Sequence, residues 1–236
     1  MLERIRKHEY WSLLFAQVLL LFVTVLSAHH IALKLMFILA LFGVLGTTIR
    51  LIWGSFWPRV LSLVFALTGI AGGVIGHAII GTAASMNFAR IPGEPIDFMF
   101  VVACLAYSGF ILIAMLSIAR HVLLKDRVTG NAIAGGICVY MLIGMFFGFL
   151  YLAMALVSPG MFDVLGKTAG QISLRDYFAF SYCTLTTVGS SNTVITHPLG
   201  QLVAALEAVA GNIYLAIIIA GLVGSRLSAQ RQNRSL

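Results

Sequence analysis

Six apolar stretches, each long enough to cross a bilayer as a helix, constrain this chain more than any other feature. They cover residues 11–27, 31–49, 60–85, 98–119, 132–157 and 199–223. A membrane core takes roughly 20 helical residues. Inside it every backbone polar group needs a protein partner, so a spanning segment is a helix or part of a closed barrel. Only 10% of the 236 residues are charged and 60% are apolar. That is too little charge to coat a soluble globule and too much apolar surface for a disordered chain. The expected fold class is an all-α membrane protein with six transmembrane helices. No compelling small-x-small cleavage site lies near Ala28, so the first stretch is read as a span rather than a removed leader.

The connecting segments sort by charge. The N-terminus, the 50–59 link, the 120–131 link and the C-terminal tail carry Arg4, Arg6, Lys7, Arg50, Arg59, Arg120, Lys125, Arg127, Arg226, Arg231 and Arg234. The alternate segments carry only Lys34, Arg90, Lys167 and Arg175. Basic residues stay on the cytoplasmic side, so both termini are expected in the cytoplasm, as an even number of spans requires. The net charge of +7 thus reflects membrane anchoring, and no nucleic-acid partner is expected.

Within the stretches, the pairs Gly69 and Gly73, Gly72 and Gly76, and Gly144 and Gly148 have the small-xxx-small spacing of close helix packing. Cys104, Cys138 and Cys183 read as small buried apolar residues. His77 lies mid-stretch and suits a helix–helix hydrogen bond, with proton sensing as the alternative. His29 and His30 read as an interfacial loop, with a metal or proton site as the alternative.

Residues 158–198 are different. They are too long for a turn and too mixed for a seventh span. Residues 174–185 read as a short amphipathic helix with Ser173 as N-cap ahead of Asp176. Twelve residues only half-cross a bilayer. Thr186, Thr187, Val188, Gly189, Ser190, Ser191 and Asn192 follow. Non-helical backbone at membrane depth must be buried in protein or line a watery cavity. A half-helix, an extended Thr/Val/Gly/Ser run and a full span make the layout of a re-entrant pore loop.

Thr184-Leu185-Thr186-Thr187-Val188-Gly189 resembles the pore signature of prokaryotic potassium channels of the two-span class, whose filter is of the Thr-Val-Gly-Tyr-Gly type followed by Asp. Gly200 and Gly211 have the glycine spacing of the last span in that family, and residues 206–211 and 214–216 resemble it too. The resemblance covers roughly residues 132–225. It implies a pore domain there, an N-terminal four-span domain over 1–131, a short cytoplasmic tail over 226–236, and a prokaryotic plasma-membrane location. It also implies that carbonyls of Thr187, Val188 and Gly189 replace the hydration shell of K+, that Gly211 is a gating hinge, and that Asn212, Leu215, Ile219 and Val223 line the cavity and gate. Glu207, one turn before Gly211, is expected to brace the back of the pore helix near Tyr182 or Thr184. Thr184 and Thr186 are expected to support the filter.

The chain departs from the family at Ser190-Ser191-Asn192, where Tyr-Gly-Asp is usual. Ser190 is too short to brace the filter. Ser191 would lose roughly 1 kcal/mol in the backbone conformation usually given to glycine. Asn192 removes a carboxylate from the outer mouth, which lowers the local cation concentration. The expectation is passive conduction of K+ and Na+ with reduced selectivity through a filter of Thr187, Val188, Gly189, Ser190 and Ser191. The alternative is a non-conducting descendant acting as a membrane sensor or structural protein.

One pore loop per chain implies a homotetramer in the lipid bilayer, with the pore on the fourfold axis. The fourth stretch has no basic residue, which excludes an ordinary voltage sensor. Histidines at scattered depths argue against a membrane cytochrome, and a single re-entrant loop without repeats argues against a secondary transporter. No nucleophile–base pair stands out. The chain is expected not to be an enzyme and to need no cofactor beyond permeant monovalent cations.

Overall fold

A computed structural model describes residues 9–26, 60, 95–123, 130–158, 160–167, 172–190 and 192–234. The stretches expected at 31–49 and 60–85 lie outside the described residues apart from Val60, as do His29, His30, His77 and the glycines at 69, 72, 73 and 76.

The described chain is predominantly helical. Helix α1 is Glu9–Leu26, α2 is Pro95–Leu123 and α3 is Gly130–Val157. Strand β1 (Phe162–Val164), helix α4 (Leu174–Leu185), strand β2 (Thr193–Ile195) and helix α5 (Pro198–Arg234) follow. Among the described residues, three helices are long and apolar enough to cross a membrane: Phe100–Arg120 in α2, all of α3, and Pro198–Gly221 in α5. They coincide with the fourth, fifth and sixth expected stretches. Helix α1 occupies the first. Helix α5 continues past the expected end at Val223 to Arg234, so most of the tail is helix.

Helix α3 is the centre of the packing. One cluster joins Leu13 of α1, Phe110, Ile111 and Ala114 of α2, Cys138, Leu142, Met145 and Phe149 of α3, and Phe178 of α4. Helices in lipid gain no hydrophobic drive from each other, so close contact and hydrogen bonds must hold them. Both are present. The fully buried Gln17 donates from Nε2 to the Cys138 carbonyl at 3.4 Å, and the Tyr107 ring stacks on Phe149 at 5.3 Å.

A second cluster closes the other end of α3. Tyr151 meets Phe180 at 5.2 Å and Phe162 at 5.7 Å, and Phe162 meets Tyr177 at 5.1 Å, all edge to face. Such aromatic pairs favour this tilt because ring edges are positive and faces negative. Strands β1 and β2 pair antiparallel, Phe162 with Ile195 and Val164 with Thr193. The pleat turns Phe162, Val164, Thr193 and Ile195 inward and Asp163 and Val194 outward, as its two-residue period requires. The pairing clamps the segment on either side of α4.

Candidate functional site

Helix α4 begins where the sequence reading expects. Ser173 is extended (φ −108°, ψ 163°) and caps it. Its N–H and hydroxyl donate to Asp176 Oδ2 at 2.7 and 2.9 Å. Lys167 Nζ donates to both carboxylate oxygens at 2.6 Å. Burial raises the Asp176 carboxyl, but the bonds from Lys167 and Ser173 outweigh it and hold the group below the usual carboxylate range. The anion also sits at the positive end of the α4 dipole.

Twelve residues at 1.5 Å each give α4 a length of about 18 Å, roughly half a bilayer core. Glycines on α3 let it approach. A Cβ on Gly144 would stand 2.5 Å from the Tyr182 ring, and one on Gly148 would stand 3.2 Å from the Phe178 ring. The Gly144 and Gly148 pair, expected from spacing as a bundle contact, is a seat for two aromatics of α4. Tyr182 then reaches the Met141 carbonyl with its hydroxyl at 2.8 Å.

At the end of α4 the chain changes hand. The Thr186 N–H still bonds the Tyr182 carbonyl at 3.0 Å, and the Thr187 N–H bonds the Thr184 carbonyl at 3.0 Å. Thr187 then takes φ +58° and Gly189 φ +78°, with no positive φ at Val188 between them. For a β-branched threonine this conformation is strained, and such strain gathers at functional sites. The Gly189 N–H returns to the Cys183 carbonyl at 3.1 Å. Thr186 Oγ1 donates to the Tyr182 carbonyl and Thr187 Oγ1 to the Thr186 carbonyl, both at 2.7 Å. Thr184 is half-buried, while Thr186, Thr187, Val188 and Gly189 are exposed on the single chain.

Beyond Gly189 the half-buried Ser190 accepts the Thr193 N–H at 3.2 Å through its hydroxyl. The bond ties the turn to the first residue of β2. Ser191 lies outside the described residues. Asn192 is exposed, and its carbonyl accepts the Leu165 N–H at 2.8 Å, extending the β1–β2 pairing.

Helix α5 presents one covered stripe, Gly200, Val203, Ala204, Glu207, Gly211, Tyr214 and Ile218, none of them exposed. Gly200 admits Ile195, and Gly211 admits the Leu185 side chain and its carbonyl oxygen. The Tyr214 hydroxyl donates to the Gly136 carbonyl at 2.8 Å. Helix α5 runs unbroken through Gly211, which here serves close packing. The fully buried Glu207 meets α4 beside Tyr182, but its hydrogen-bond partner there is the neighbouring Ser181. Tyr182 is committed to Met141, and Glu207 instead contacts Ser181 at 2.5 Å and Tyr151 of α3 at 2.6 Å.

Asn212, Leu215 and Ile219 lie exposed on the uncovered side of α5. The Val223 side chain lies outside the described residues. Reading the sequence missed Tyr151 and Ser181, and it missed Tyr140, whose hydroxyl donates to the Leu185 carbonyl at 3.2 Å. The available signal was helical spacing: Tyr140, Gly144, Gly148 and Tyr151 fall on one face of α3.

The site therefore places a left-handed turn at Thr187 and Gly189 and the exposed Thr186 and Thr187 at the end of α4, backed by Tyr140 of α3 and Gly211 of α5. No protein-family model matches the chain, and neither a curated protein nor a solved structure matches it.

Proposed function

We propose that the chain is one subunit of a homotetrameric cation pore of the potassium-channel type, passing K+ and Na+ passively with weak selectivity. One observation carries the reading. The left-handed turns at Thr187 and Gly189 stand at the end of a half-membrane helix flanked by two span-length helices. That arrangement gives four copies a ring of carbonyls able to replace ion hydration. In this reading six spans set both termini in the cytoplasm. Thr187, Val188 and Gly189 form the inner filter, supported by Thr184, Thr186 and Glu207. Ser190, Ser191 and Asn192 form a wider outer mouth without the usual carboxylate. Asn212, Leu215, Ile219 and Val223 line the cavity below, with Gly211 above them.

The test is ion flux through purified full-length protein in liposomes, followed by a K+/Na+ bi-ionic reversal potential. Reversal near zero is expected. Reversal near the potassium limit would sink the weak-selectivity reading. An absence of current that persists in the triple variant Ser190→Tyr, Ser191→Gly, Asn192→Asp would favour a non-conducting descendant. A monomer in mild detergent would count against the ring itself.

A further inference from the structure

Glu207 is fully buried, and the hydrogen-bond geometry around it restricts where protons can be. Its Oε2 lies 2.6 Å from the Tyr151 hydroxyl. Its Oε1 lies 2.5 Å from the Ser181 hydroxyl. The same Ser181 oxygen lies 2.8 Å from the Gly144 carbonyl oxygen of α3. A serine hydroxyl carries one proton, a carbonyl oxygen only accepts, and an ionised carboxylate only accepts.

With an ionised Glu207, the Ser181 proton must choose. Donated to the carboxylate, it leaves two oxygens with lone pairs facing each other at 2.8 Å. Donated to Gly144, it leaves the 2.5 Å contact without a proton. The short contacts alone would suit a charge-assisted bond, so the Gly144 carbonyl is what decides. With a protonated Glu207 every contact is filled: Tyr151 donates to Oε2, Oε1 donates to Ser181, and Ser181 donates to Gly144. Three protons meet three acceptors. Around the carboxyl stand Tyr151 and Tyr140 of α3 and Tyr182 of α4. None of these supplies a positive charge, and a buried carboxylate without one is costly.

We propose that Glu207 is a neutral carboxylic acid that donates its proton to Ser181, making a three-helix peg in which α5, α4 and α3 are joined through one side chain. The placement of the proton is independent of conduction. Its role as the positioning residue that sets the pore helix against α5 rests on the channel reading above.

The experiment is infrared spectroscopy of full-length protein in lipid bilayers at neutral pH, with glutamate side-chain carboxyls labelled with 13C. The chain has four glutamates, Glu3, Glu9, Glu94 and Glu207. The expected result is an isotope-shifted carboxylic-acid C=O band that Glu207→Gln abolishes. Ser181→Ala should keep the band but shift it, since the acid loses its acceptor. Glu207→Gln should keep wild-type thermal stability, because its amide still accepts from Tyr151 and donates to Ser181, whereas Glu207→Ala should lose it. A labelled wild type showing only carboxylate bands, or an acid band that survives in Glu207→Gln, would overturn the proposal. Should Glu207→Gln fail to fold, the wild-type band and its shift in Ser181→Ala still decide. A protein that conducts nothing would show the same bands, so a failed channel reading and a failed proton assignment are told apart.

Discussion

The carbonyl oxygen of Leu185, in the last turn of α4, lies 2.8 Å from where a Cβ on Gly211 of α5 would stand. A side-chain tip can swing away from an added methyl group, but this oxygen belongs to the backbone that leads into the Thr187 turn. Gly211→Ala is therefore expected to cost about 1–3 kcal/mol, the usual range for overpacking, and to shift the Thr187 turn proposed as the filter. Thermal denaturation and liposome flux would both register it. Unchanged values in both would show that the contact is slack.

The α3 glycines predict a graded series. Gly144→Ala drives a methyl group to 2.5 Å from the Tyr182 ring, whereas Gly148→Ala reaches only 3.2 Å from Phe178. Gly130→Ala meets nothing within 4 Å. Expected losses are about 1–3 kcal/mol, under about 1 kcal/mol, and none, in that order. Melting temperatures of the three variants in one detergent test the ranking.

The two left-handed residues should respond with opposite signs. Thr187→Gly removes a conformation that costs a β-branched residue on the order of 1–2 kcal/mol, so it should keep or raise stability while ion flux falls with the lost hydroxyl. Gly189→Ala has open space for its methyl group, yet φ +78° should cost it roughly 1 kcal/mol. Equal melting shifts of the same sign would refute the assigned backbone.

Much of this was legible from residues alone, where long signals exist. Helix α4 was bounded at residues 174–185 with Ser173 as its cap, because the half-length amphipathic run and the Ser–Asp spacing are both local. Helices α2, α3 and α5 announced themselves by length. Strands β1 and β2 did not, since three residues cannot establish a period of two. The helical tail beyond Val223 hid among Gln, Arg and Ser residues that looked like a polar end, although Gln and Arg are good helix formers. Glu207 was legible as a brace but not its partner. Which of Ser181, Tyr182 and Thr184 faces it depends on the rotation of α4, and the Gly144 and Gly148 seats fix that rotation.

Acid should loosen the N-terminal end of α4. The Asp176 carboxyl titrates below its ordinary value of 3.8 in the folded chain. A depressed folded value means its stabilisation is fully present above pH 3.8 and is lost as pH falls through the lower folded value. The melting temperature should therefore fall in that window, and Asp176→Asn should flatten this part of the profile while lowering the plateau. Lys167→Met should cost less than about 1 kcal/mol, because the Lys167 side chain is 34% exposed and its bond is screened.

The covered stripe of α5 also imposes an order on synthesis. Ribosomes extend the chain from the N-terminus, so α4 leaves the ribosome before Glu207, Gly211 and Tyr214 do. At about 18 Å it is too short to lodge across lipid by itself, and its last carbonyls still lack the helix that will cover them. Until residues 200–218 follow, the nascent half-helix has only its α3 seat and its Lys167–Asp176 tether to hold it. A truncation between 190 and 200 would thus leave α4 without the helix that covers its last carbonyls.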